Sequence, residues 1–241
     1  MGNEHGEWIL HGLAADDPRR IRTPEELVER VEAVGFLPLF QNEAPGFSVE
    51  EWTLAEDWWS GDPARDPWLW RALLAAGGRV PYGKFFARKA GFVSLRWLPR
   101  LANWRRDGYD FDARWEDGRA RHREKKLMDL FADGQTLPSF EARQQGGFGK
   151  GGERNFEGTV TDLQMQTYLV IRDFRRRRNK AGAPYGWPVA LYTAPESLWG
   201  AELLSSAYGE EPEQSRLAIL RHLVGQFPEA GEAALRRALG K

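Results

Sequence analysis

The sequence predicts a mainly α chain with a small β-hairpin: an α+β winged helix-turn-helix unit preceded by an aromatic-rich helical region. Three observations carry this reading. Between Ala120 and Thr193 the pattern runs helix, turn, helix, glycine turn, helix, strand, basic tip, strand. The tip, Arg175-Arg176-Arg177-Arg178-Asn179-Lys180, stands between two strand-like runs. Upstream, capped helical segments rich in Trp and Leu follow one another. The expected organisation is a mobile tail over 1–20, a Trp-rich helical region over 21–118, a winged-helix domain over 119–194, and C-terminal helices over 195–241 packing on it.

In chain order, Thr23-Pro24-Glu25-Glu26 opens the first helix, with Thr23 as cap, Pro24 at the first helical position and Glu26 closing a capping box. Leu27, Val28, Val31 and Val34 form its apolar face, and Gly35 ends it. Phe36 to Phe40 reads as extended and apolar. Ser48-Val49-Glu50-Glu51 is a second capping box, which predicts a helix through Trp52 toward Trp59. After the turn cluster Ser60 to Pro67, Asp66 caps a helix carrying Trp68, Leu69, Trp70, Leu73 and Leu74. Tyr82 to Phe92 is aromatic and basic together. Ser94 caps a further helix with Leu95, Leu98, Leu101 and Ala102 on one side, and a short helix spans about Phe111 to Trp115.

Within the winged-helix segment, Leu127, Leu130 and Phe131 mark the first helix, closed by Asp133-Gly134. Ser139 caps a short second helix that Gly146 and Gly147 end. The third spans about Glu153 to Met165, with Phe156, Val160 and Leu163 inward. Tyr168 to Phe174 and Trp187 to Thr193 read as strands, and Asn179-Lys180-Ala181-Gly182 as the turn region between them. The third helix is acidic, with Glu153, Glu157 and Asp162 against Arg154. Affinity for nucleic acid comes largely from neutralised phosphates, so the basic wing and the preceding basic helices are expected to do most of any binding. After Thr193, two amphipathic helices are expected over about Glu213 to Gln226 and Glu229 to Leu239.

Composition bounds the function. The chain has 241 residues, 41% of them apolar and 29% charged, normal for a globular protein. Its 13 Phe, 11 Trp and 6 Tyr are ample for a core. With no Cys, disulfides, thiolate metal sites and a Cys nucleophile are excluded. No apolar run nears the ~18 residues that span a bilayer, and the acidic start is no secretory signal, so no membrane association and a cytoplasmic location are expected. The net charge of −1 conceals net +8 over residues 79–126 between acidic ends, which is either a footprint for a polyanion or a solvated, mixed-charge surface. His5, His11, His122 and His222 lack ligand spacing, and Gly149-Lys150 has no following Ser or Thr, so no metal, phosphate loop or cofactor is expected.

Tyr82-Gly83-Lys84-Phe85-Phe86, Asp66-Pro67-Trp68, and Leu163-Gln164-Met165-Gln166 followed by Tyr185-Gly186-Trp187-Pro188 resemble the short bacterial AlkZ-related proteins over about 21–235. Those in turn resemble, more remotely, the winged-helix DNA glycosylases that remove alkylated or crosslinked bases. The resemblance implies a Gln-apolar-Gln motif that positions water and stabilises a sugar cation, and Gln164-Met165-Gln166 matches it at a helix-to-strand junction. The plain alternative is two polar positions at a helix end.

The leading expectation is a DNA-binding protein linked to repair. Arg175, Arg176, Arg177, Arg178 and Lys180 contact phosphates, and Arg121, Arg123, Lys125 and Lys126 extend the track. The second is base excision with Gln164 and Gln166 as catalytic residues. The third is a protein-interaction module whose wing meets an acidic partner. The aromatics of Tyr82 to Phe92, with Trp97, Trp104, Arg96, Arg100, Arg105 and Arg106, either stack on bases or form core. Glu56, Asp57, Asp62 and Asp66 are either catalytic carboxylates or caps.

Overall fold

The structure is a computed structural model that describes residues 9–240. It is α+β, with two three-stranded antiparallel sheets set among helices. Helix α1 (Pro24–Val34) starts as expected, the Glu26 amide donating to Thr23 Oγ1 at 3.1 Å. Gly35 turns the chain into β1 (Phe36–Pro38). Of the tail expected over 1–20, residues 1–8 lie outside the described part. Residues 9–20 are tethered, with the Leu13 amide on the Thr53 carbonyl and the His11 amide on Glu50 Oε1.

Two corrections concern the Trp-rich region. The helix expected from Ser48 toward Trp59 is instead two single 3-10 turns, Glu50–Trp52 and Ala55–Asp57. Thr53 between them is extended, and its hydroxyl donates to the Val49 and Glu50 carbonyls that a helix would have used. The region is also not wholly helical. After α2 (Pro67–Gly77), the aromatic segment folds as a hairpin of β2 (Tyr82–Phe86) and β3 (Lys89–Val93), and β1 pairs with β3 to give the order β1-β3-β2. Tyr82, Phe85, Phe86 and Phe92 are buried on it.

Helices α3 (Leu98–Arg106) and α4 (Phe111–Glu116) lead to α5 (His122–Met128), short strand β4 (Leu137–Pro138), α6 (Ser139–Gln145) and α7 (Phe156–Met165). Strands β5 (Val170–Arg178) and β6 (Pro184–Thr193) complete a second sheet in the order β4-β6-β5. This is the element order expected for 119–194, but both hairpin strands reach further toward the turn, the second beginning at Pro184 and not at Trp187. The first hairpin strand does not stop at Phe174; Arg177 pairs with Tyr185 and Arg178 with Pro184, so the arginines lie in the strand below the turn.

The chain closes with α8 (Pro195–Trp199), α9 (Ala201–Ser205), α10 (Pro212–Gln226) and α11 (Glu232–Leu239). The C-terminal helices were expected on the 119–194 unit; the densest packing of α10 is on α3, and α11 lies on α10 and β2. Buried side chains from Ile21 to Leu239 form one contiguous cluster that includes both sheets. Buried Arg106 ties its parts together, donating to Glu196 at 2.5 Å, to the Tyr208 hydroxyl at 3.2 Å and to the Thr167 carbonyl at 2.6 Å.

Candidate nucleic-acid interface

The β5–β6 hairpin is anchored at its base and bare at its end. Val170, Ile171, Leu191 and Tyr192 are buried, whereas every residue from Arg175 to Trp187 is exposed. The base is fixed by Arg172 Nη1, which donates to the Ala75 carbonyl at 3.0 Å, and by Arg71, whose guanidinium lies 3.6 Å over Trp68 and 4.2 Å over Phe174. The turn closes through Asn179, whose Oδ1 accepts from the Ala181 and Ala183 amides at 3.0 Å each.

Along this arm Arg175, Arg176, Arg177, Arg178 and Lys180 are exposed, and among the described residues none of them forms an ion pair. Arg177 lies 4.6 Å over the Phe140 ring of α6, and Arg178 donates to the Gly182 carbonyl at 2.8 Å. The register shifts between Arg175 and Arg177, so strict alternation of faces is broken there. The partner strand adds Tyr185, 49% exposed, and Trp187, 86% exposed. The exposure of Trp187 is not written in the strand pattern; the local signal for it is its place between Gly186 and Pro188.

The second basic group is differently placed. Arg121 pairs with Asp162 at 3.3 Å, Lys126 with Glu153 at 3.0 Å, and Lys125 with Asp129. Lys126 foremost, with His122, holds the Glu153 carboxyl below its ordinary value. Arg123 is half-buried, and its Nε is buried without a partner. Three of these four cations are therefore neutralised within the protein, unlike those of the hairpin. Helix α7 is also largely covered. Phe156, Thr159, Val160, Thr161, Leu163, Gln164 and Met165 are buried, partly under β2, with Lys84 Nζ donating to Thr161 Oγ1 at 3.1 Å.

The two glutamines part company. Gln164 is fully buried; its Oε1 accepts from the Lys84 amide at 3.1 Å, and its Nε2 donates to the Val160 carbonyl at 3.3 Å. It fastens α7 to β2. Gln166 is half-buried and lines an open cleft of about 550 Å³ beside Arg88, Arg114, Arg119, Arg121 and Asp162. Its Oε1 is buried with no hydrogen-bond partner.

Other candidates have structural partners. Asp66 is buried and accepts from the Trp68, Trp59 and Gly61 amides, as a helix cap. Asp57 pairs with Arg20 and Arg65, and Asp62 accepts from the Ala64 amide. Trp97 is buried and stacked on His222 at 4.3 Å, Arg105 and Arg106 are enclosed, and Arg100 pairs with Glu210 at 2.7 Å. Among the described residues no cluster of three or more His, Asp or Glu could hold a metal ion, and no helix is long and apolar enough to cross a membrane.

A family model described as AlkZ related matches residues 21–240. No curated protein and no solved structure matches the chain.

Proposed function

The chain belongs to the AlkZ-related family, and on that footing we propose that it is a DNA-binding protein linked to DNA repair, binding through the β5–β6 hairpin. Residues 119–194 serve in this reading as a winged helix whose wing, not its third helix, meets the duplex. The observation that carries it is the arm itself: five exposed cations free of ion pairs beside an 86% exposed Trp187. Phosphates attract unpaired guanidiniums, and an exposed indole offers a face on which a base stacks. The pairing of Arg121, Lys125 and Lys126 makes them secondary contributors.

The test is duplex binding measured over a range of salt concentration. The wild type should lose affinity steeply with salt, and Arg175–Arg178 replaced together by Ala should flatten the slope by ~0.9 for each phosphate contact removed. A wild type that binds neither duplex nor single strand in a salt-sensitive way ends this reading.

One observation favours a second reading, base excision: Gln166, part of the Gln-apolar-Gln match, lines an open cleft. Gln164 acts there only as the residue that holds α7 in place. Abasic sites scored after incubation with alkylated duplex test it, and Gln166→Ala should abolish their formation.

A further inference from the structure

The cleft that Gln166 lines has a composition the hairpin does not explain. Four arginines converge on it from separate places: Arg88 from the β2–β3 turn, Arg114 from α4, Arg119 from the following loop, and Arg121 from the start of α5. Two carboxylates share the lining, Asp162 and Glu124. Asp162 is divided between Arg88 at 2.5 Å and Arg121 at 3.3 Å, and Glu124 is occupied by the Arg121 amide at 2.8 Å. Arg119 leans on Asp107 at the rim, at 3.1 Å. Arg114 forms no ion pair among the described residues, and its Nε is buried without a hydrogen-bond partner. The lining therefore holds more cation than anion, with guanidinium donors left over.

A second, independent observation lies in the backbone. Ala87 and Arg88 form the two-residue turn between β2 and β3, with φ of 45° and 70°. Positive φ at both positions is the pattern that favours Asn-Gly, and an alanine and an arginine there are strained. The strain is held from outside. The Ala87 amide donates to the Leu239 carbonyl, the Arg88 amide contacts Met165 Sδ at 3.2 Å, and a Cβ on Gly240 would stand 2.8 Å from Ala87 Cα. The end of α11 and the end of α7 thus keep an unfavourable residue at a tip, where its side chain enters the cleft.

We propose that this cleft is a binding site for a phosphate monoester, gripped by Arg114 and Arg88 with Arg119 and Arg121 at its edges. The forked guanidinium geometry suits phosphate oxygens. Gln166 shares the lining with these arginines. The phosphate has two chemical sources, the 5′ end of a nucleic-acid strand or a free nucleotide. The site stands apart from the hairpin, so either reading survives loss of the other.

Two binding arms at low salt test it. In one, adenosine monophosphate and inorganic phosphate are titrated into the full chain by calorimetry. In the other, a short single strand with a 5′-phosphate is compared with its 5′-hydroxyl twin. Binding in the first arm alone assigns a free nucleotide; at least tenfold preference for the phosphorylated strand assigns a strand end. Arg114→Gln should remove the response, and Arg119→Gln replaces it if that variant does not fold. Arg88→Gly should raise the melting temperature, because glycine suits the turn, while weakening phosphate binding severalfold. Replacing Arg175–Arg178 with Ala should leave the phosphate response intact. The proposal is overturned if neither arm shows phosphate-dependent binding, or if the response persists in both Arg114→Gln and Arg88→Gly.

Discussion

Single residues in this protein carry unlike burdens despite like chemistry. Gln164→Ala removes the buried acceptor for the part-buried Lys84 amide, so it should cost about 1–3 kcal/mol in a denaturant titration. Gln166→Ala breaks no hydrogen bond of Oε1 and should fall within about 0.5 kcal/mol of wild type in the same titration. A pair of equal losses would contradict the separate roles assigned to them. His222 gives a pH signature. Burial, chiefly, holds its imidazole below the ordinary 6.5, although its hydrogen bond to the Val34 carbonyl works the other way. A base depressed on folding contributes stability while neutral, above its unfolded value, and that contribution is lost as pH falls through the folded value. The denaturation midpoint should therefore drop as pH falls below about 6.5, and His222→Phe should reduce the drop. An unchanged pH dependence in that variant would assign the effect to other groups.

At the scale of elements, the hairpin invites the most direct measurement. Trp187→Ala should weaken nucleic-acid binding by about 1–3 kcal/mol and leave thermal stability unchanged, since an indole so exposed contributes little to the core. The same comparison shows what a sequence reveals. Helices with a side-chain cap and an apolar stripe, such as α1 and α2, are legible because both signals are local. The order helix, helix, helix, strand, strand over 119–194 is legible for the same reason, and Asn179 with Gly182 marks its turn. The β2–β3 hairpin is not, because its turn is Ala87-Arg88, residues that do not announce positive φ. The segment from Ser48 to Trp59 misleads, because Thr53 diverts its hydroxyl to the Val49 and Glu50 carbonyls. Of the candidate site, the arm's charge is plain in the sequence. The engagement of Arg121 by Asp162 and of Lys126 by Glu153 is not, because these partners come close only in the folded chain.

Across the described residues, the acidic and basic stretches of the chain are folded onto one core, and Arg106 joins α3 to Thr167, Glu196 and Tyr208 within it. Arg106→Leu would strand the Thr167 carbonyl and Glu196, so a loss of about 3–5 kcal/mol is expected by chemical denaturation. A loss near zero would mean that apolar packing alone unites α3 with the segments at Thr167, Glu196 and Tyr208. With α7 largely buried beneath β2, the exposed part of residues 119–194 is the β5–β6 arm and not that helix.

The bare end of the hairpin has a practical corollary. Arg175 to Arg178 and Lys180 form a dense run of trypsin sites on exposed backbone. A cut there leaves two pieces that both belong to the same buried cluster, through Val170 and Ile171 on one side and Tyr192 and Ala194 on the other. Nicked protein should elute from a sizing column like the intact chain, and only denaturing electrophoresis should separate the fragments. Bound DNA should slow the clipping, which makes protease protection a footprint of the arm.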